Sequence, residues 1–194
     1  MSTSQHSKLF GRRNLAQALR TYGDRYPDER ACADRFIDFV AGEPRCYERD
    51  CWAGHVTGAA WLVNKAGTHV LLTHHRKLER WLQLGGHSDG DPDTVAVAMR
   101  EAVEESGLQV RLLDDGDPDE LIFDIDIHPI PARKSDLDHW HFDIRLAMQV
   151  VGPEDFVVSE ESIDLRWVPI DGLEPFTAEE TILRMGQKWL ERSV

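Results

Sequence analysis

Basic charge is what this chain of 194 residues lacks most: 22 lysines and arginines face 35 aspartates and glutamates, a formal net charge of −13. So acidic a surface repels a polyphosphate backbone, which excludes a broad footprint on nucleic-acid polymers. Small phosphorylated metabolites remain open, because a bound cation can reverse the sign at one place. Cysteine is scarce too. Cys32, Cys46 and Cys51 are an odd count, too few for a disulfide framework, and Cys46 and Cys51 are too loosely spaced, with no second pair, to read as a metal site; reduced, idle thiols are expected. No apolar run approaches the roughly 20 residues that span a bilayer. Arg12-Arg13 leads into polar sequence rather than an apolar export region, so a cytoplasmic protein without a membrane partner is expected. Repeats and low-complexity tracts are missing as well. What is present is enough chain for one domain with a real core, plus an appendage.

Periodicity divides the chain near residue 52. Over residues 12–42, Leu15, Ala18, Leu19 and Tyr22 mark one helical stripe and Ala31, Phe36, Phe39 and Val40 a second, with Tyr26-Pro27 between them and Gly42-Glu43-Pro44 at the end. Residues 1–52 therefore read as an N-terminal helical extension that could cover a sheet edge, form a dimer contact or shape a pocket. Residues 53–194 read as the main domain, of α/β class. Val56–Val63 and Val70–Thr73 flank Asn64-Lys65-Ala66-Gly67, a hairpin connection. Short strands are expected over 81–84, 108–113, 121–130, 140–150 and 165–168, and a closing helix over 178–190.

The chemistry concentrates between Gly86 and Leu108, a turn-forming stretch running into a helix with Arg100, Glu101, Glu104 and Glu105. Helical spacing gathers the three glutamates, while Val95, Ala98, Ala102 and Val103 can face a core. Like charges at these spacings cost roughly 0.2–0.5 kcal/mol per pair, and Arg100 alone cannot neutralise three of them. A hard divalent cation is the natural counter-ion. Asp91 reads as the helix N-cap, with Pro92 at the first helical position.

This segment resembles the Nudix hydrolase motif, Gly-x5-Glu-x7-Arg-Glu-apolar-x-Glu-Glu-x-Gly-apolar. Thirteen residues separate Gly86 from Arg100, and Arg100-Glu101-Ala102-Val103-Glu104-Glu105-Ser106-Gly107-Leu108 follows the pattern throughout. The departure is Pro92, which stands where the family has its first Glu. The resemblance implies a Nudix-type α/β/α sandwich with a mixed sheet. It also implies a pyrophosphohydrolase, dependent on Mg2+ or Mn2+, that cleaves the diphosphate of a nucleoside diphosphate linked to another moiety. Glu101, Glu104 and Glu105 would hold the metal, and Arg100 would pair with a motif carboxylate. Gly85 and Gly86 would let the loop backbone come close to the helix entry. Glu161, or Glu160 beside it, would be the general base, since related hydrolases often carry one on a loop ahead of a late strand. A small phosphorylated metabolite is the implied partner, and a homodimer is allowed because many relatives pair.

The histidines suggest something more. In 121–128, Phe123, Ile125 and Ile127 alternate with Asp124, Asp126 and His128; in 139–146, Trp140, Phe142, Ile144 and Leu146 alternate with His139, His141, Asp143 and Arg145. Such faces are either solvated or line a site. The layout resembles isopentenyl diphosphate isomerase, which shares the Nudix fold and holds a divalent metal through histidines in its first core strand and motif loop and acidic ligands on a later strand. By that resemblance His55, His87, His139 and His141, with His128 in reserve, make a second site, whose imidazoles suit Zn2+ better than Mg2+. The isomerase's catalytic cysteine has no counterpart in Leu82-Gln83-Leu84-Gly85-Gly86-His87; the nearest in sequence is Cys51. Alternatives to hydrolysis are therefore a non-hydrolytic sensor of nucleotide metabolites and an isomerase-like metalloprotein.

Overall fold

Leu15, Ala18, Leu19 and Tyr22 are all buried, the inner stripe of the first described helix. The computed structural model describes residues 12–114, 118–133 and 136–192. In order, the elements are α1 (Arg12–Arg25), α2 (Arg30–Gly42), β1 (His55–Val63), β2 (His69–His75), β3 (Arg80–Leu82), β4 (Leu84–His87), α3 (Thr94–Ser106), β5 (Val110–Leu112), β6 (Ile122–Ile130), β7 (His139–Val150), β8 (Ser162–Pro169) and α4 (Glu180–Arg192). This is the α/β fold expected, with helices ahead of a mixed sheet. None of the described helices is long and apolar enough to cross a membrane.

The residues fall into two compact units, one of residues up to 58, 86–98 and 114–146, the other of 59–85, 99–113 and 147–194. In the first, α1 and α2 pack on each other and on β6. Phe39 stacks on Phe142 with ring centroids 3.8 Å apart, and Phe36 meets the same ring edge-on at 5.3 Å. The N-terminal helices thus cover part of the sheet. Ala33 rather than Ala31 completes the α2 stripe: Ala31 is exposed. Strands β6 and β7 are antiparallel from Ile122↔Leu146 to Ile130↔His139, and a register shift between Ile122 and Asp124 sets Asp124 opposite Arg145.

Two glycines fix how closely the elements approach. A Cβ on Gly54 would lie 2.8 Å from both the Phe142 ring and the Trp140 carbonyl, and its φ of +141° is one that side chains disfavour. That glycine delivers the chain into β1 directly ahead of His55. A Cβ on Gly58 would sit 2.8 Å from Val97 and 3.0 Å from the backbone of Thr94 and Ala98, so α3 begins pressed against β1.

The start of α3 corrects the expected cap. Asp93, not Asp91, is the N-cap: its Oδ1 accepts from the Ala96 amide at 3.0 Å. The Asp91 carboxylate instead accepts from the Asp93 amide at 2.9 Å, a local turn that leaves Pro92 ahead of the helix rather than inside it.

In the second unit β2 is the hub. It pairs antiparallel with β8 from His69↔Pro169 to His75↔Ser162, and with β3 from Thr73↔Leu82 to His75↔Arg80. The hairpin from β1 closes at Val63↔Val70, with the Gly67 amide donating to the Asn64 carbonyl at 3.0 Å. The strand expected over 81–84 is two strands, β3 and β4, parted at Gln83. Helix α4 buries Ile182 and Met185, and its Trp189 indole donates to the Gly67 carbonyl at 2.8 Å.

Candidate functional site

Steps of about 100° per residue place Glu105 on the buried arc of α3 with Ala102, Glu101 at its margin and Glu104 outside. Val103 therefore points away from the core, 44% exposed, where a buried position was expected. Glu105 is itself only 8% exposed, and its Oε2 is buried with no hydrogen-bond partner. Burial, then the neighbouring charges of Glu101 and Glu161, push its pKa up to about 8, against a hydrogen bond to the Gly85 backbone. Burial also raises the Glu101 pKa, opposed by Arg100, whose Nη2 donates to Glu101 Oε1 at 3.1 Å.

Glu161 lies exposed in the turn before β8, near enough to Glu101 and Glu105 to repel both. Glu104 and Glu161 thus act electrostatically on both Glu101 and Glu105, and Arg100 is paired with Glu101, although the oxygens of these four acids do not close on one point as the ligand atoms of the histidine group below do. Arg76 holds the turn. Its amide donates to the Glu161 carbonyl at 3.0 Å, and its guanidinium to the carbonyls of Glu160 at 2.9 Å and Ser162 at 2.7 Å. Nothing in the sequence pointed to Arg76, because its contacts are with backbone atoms far along the chain.

The first unit gathers a second cluster. His55 opens β1, His87 closes β4, and His139 and His141 share one face at the start of β7. Ring centroids are 5.0 Å apart for His55 and His87, 4.7 Å for His55 and His139, 4.8 Å for His55 and His141, and 5.1 Å for His87 and His141. Burial, then repulsion from His87 and His139, lowers the His55 pKa to about 4. Burial brings His141 to about 2 and lowers His87 as well. Neutral imidazoles result, each with a lone pair to offer. His74, in the second unit, stacks on Trp81 at 5.0 Å.

On the polar faces of β6 and β7, Asp124, His139, Asp143 and Arg145 are buried, while Asp126, His128 and His141 are half-buried. Arg145, 2% exposed, donates to Asp124 at 3.0 Å and to Asp126 and Asp143 at 3.1 Å each. The Thr57 hydroxyl donates to Asp143, and His128 Nδ1 lies 3.0 Å from Asp126. Burial would lower the His128 pKa, but Asp143 and Asp126 outweigh it and the pKa rises. Burial would raise Asp143, yet His128 and Arg145 hold it well below the carboxylate range. Cys32, Cys46 and Cys51 form no disulfide, and burial pushes the Cys51 thiol up, away from a reactive thiolate.

No curated protein matches the chain. Solved structures do. A Nudix-family hydrolase from Clostridium perfringens is 24% identical, with 71% of this chain and 97% of that one covered and a TM-score of 0.52. The E. coli dihydroneopterin triphosphate pyrophosphohydrolase is 15% identical over 75% of this chain and 98% of that one, with a TM-score of 0.54. A C. elegans Ap4A hydrolase is 17% identical over 71% and 96%, with a TM-score of 0.50. These likenesses are of fold. The sequence profile of the NUDIX domain matches residues 54–188, which include all of α3 and its acid cluster, and by that match the chain belongs to the Nudix hydrolase superfamily.

Proposed function

We propose that the chain is a metal-dependent pyrophosphohydrolase that cleaves the diphosphate linkage of a nucleoside diphosphate joined to another moiety. The observation that carries this reading is Glu105: a buried carboxyl with an unpartnered oxygen, beside Glu101 and Glu161. A buried acid among like charges is costly unless a cation joins it. All the donors are carboxylate oxygens, which fits Mg2+ or Mn2+, and Glu101, Glu104 and Glu105 would hold the ion. Such an ion neutralises diphosphate oxygens and lowers the pKa of an attacking water.

The chain's own residues supply the rest. Arg100 fixes the Glu101 rotamer through their hydrogen bond. Glu161 takes the proton of the attacking water at a carboxylate oxygen, and Arg76 holds its turn in place. Pro92, in place of the first motif glutamate, favours a second reading as a nucleotide-metabolite sensor. The raised Cys51 thiol speaks against isomerase chemistry. Release of phosphate or nucleotide from dinucleotides, sugar nucleotides and oxidised nucleoside triphosphates, with Mg2+, Mn2+ or Zn2+, separates the two. Turnover of one class with Mg2+ or Mn2+ is expected; tight binding without any release would favour the sensor.

A further inference from the structure

We propose that His55, His139 and His141, with His87 as the fourth donor, bind a borderline divalent transition-metal ion, zinc by preference, whose charge is balanced by the buried carboxylates of Asp124 and Asp143 and the half-buried one of Asp126. This site is separate in residues and chemistry from the acid cluster of α3.

One ring nitrogen from each of His55, His139 and His141 lies within 4.8 Å of the others. Both nitrogens of His55, which is 1% exposed, and Nε2 of His141 are buried with no hydrogen-bond partner. The Cys51 carbonyl influences the His55 ring but is not in hydrogen-bond geometry with it. Buried polar atoms are ordinarily satisfied, so an orphan nitrogen on each of two neighbouring rings calls for a shared partner. A metal ion is a partner that several imidazole nitrogens can share.

The tautomer of His139 is already set. Its Nδ1 lies 2.7 Å from the Leu137 carbonyl, so Nδ1 carries the proton and Nε2 keeps its lone pair. This is how metal-bound histidines are commonly oriented. Zinc–nitrogen bonds of about 2.0–2.1 Å in a tetrahedral site put ligand nitrogens about 3.4 Å apart. The rings therefore need to close by roughly an ångström, within reach of side-chain rotation. The His87 ring lies 5.0 and 5.1 Å from those of His55 and His141, outside the group of three, and would turn toward them to supply the fourth donor.

Charge points the same way. Asp124, Asp126 and Asp143 face the guanidinium of Arg145, with the His128 ring beside Asp126 and Asp143, and Asp143 adjoins His141. A divalent ion on the imidazoles offsets the excess. The rival donor set, His128, His141 and Asp143, is committed elsewhere: Asp143 to Thr57 and Arg145, His128 to Asp126. Imidazole nitrogens favour zinc, cobalt or nickel over magnesium, and four protein ligands make a closed, structural site that staples β1, β4 and β7 within one unit.

The test is metal content of the full-length chain purified from zinc-supplemented cells without chelators. About one zinc per chain is expected, with imidazole scattering in its X-ray absorption spectrum. His55→Gln and His141→Gln should each lower zinc affinity by at least tenfold, whereas Glu104→Gln should keep the zinc. A ratio near zero in the folded wild-type protein overturns the proposal. So does bound zinc with oxygen-only ligation that is lost in Glu104→Gln. If the histidine variants do not fold, the wild-type absorption spectrum decides alone. Because Glu104→Gln removes only the acid cluster, failure of the hydrolase reading leaves this test intact.

Discussion

The guanidinium of Arg145 donates to the carboxylate of Asp124 at 3.0 Å where neither side chain reaches solvent. Removing one partner of such a pair strands the other. Arg145→Met leaves three carboxylates without their cation and should cost about 3–5 kcal/mol of stability, read from urea unfolding. Asp124→Asn keeps the shape and removes one charge, so its cost should be clearly smaller. Equal stability of Arg145→Met and wild type would mean that the network carries no weight in the fold.

Glu105 makes the metal-free protein sensitive to pH. Its carboxyl titrates near 4.5 in the unfolded chain and near 8 in the folded one. Across that window the unfolded state holds fewer protons, so stability in EDTA falls as pH rises. Unfolding midpoints should be lower at pH 8.5 than at pH 6. Mg2+ should narrow the gap, and Glu105→Gln should raise metal-free stability at pH 8.5 by about 1–3 kcal/mol, the usual cost of a buried polar group left unpaired. A flat profile in EDTA would contradict the assigned environment.

Glu104 is exposed on α3, so its carboxylate contributes little to packing. Glu104→Gln should keep the unfolding midpoint while turnover with Mg2+ drops on the order of 100-fold, the scale of losing one preorganised electrostatic group. Near-normal turnover would remove Glu104 from the mechanism.

Arg76 is a positioning residue. Arg76→Ala keeps the amide bond to Glu161 but frees the two carbonyls on either side of it, of Glu160 and Ser162, and should lower kcat about tenfold with KM nearly unchanged. In the Glu161→Gln background the same substitution should cost much less, because residues acting as a unit are not additive. Additive losses would place Arg76 outside the Glu161 pathway.

What the sequence disclosed was local. The α1 stripe at Leu15, Ala18, Leu19 and Tyr22 and the hairpin at Asn64–Gly67 depend on neighbours in the chain, so periodicity and turn chemistry found them. The break at Gln83 left no signal, because one residue between two strands does not disturb an apolar run. Asp91 and Asp93 are equally good caps by type. Which one caps is decided by a turn hydrogen bond between them. The alternation on β6 and β7 was visible, but whether its polar face met water depended on residues far along the chain, such as Thr57, which donates to Asp143. Four histidines scattered from 55 to 141 were visible as a pattern only beside a relative. Their convergence is a property of strand order.

The central claim is that the α3 carboxylates take a hard divalent cation, and a Mn2+ soak of crystals with an anomalous difference map tests it most directly. The account predicts a peak bounded by the carboxyl oxygens of Glu101, Glu104 and Glu105. A map with no peak there, at Mn2+ concentrations that support turnover, would contradict it.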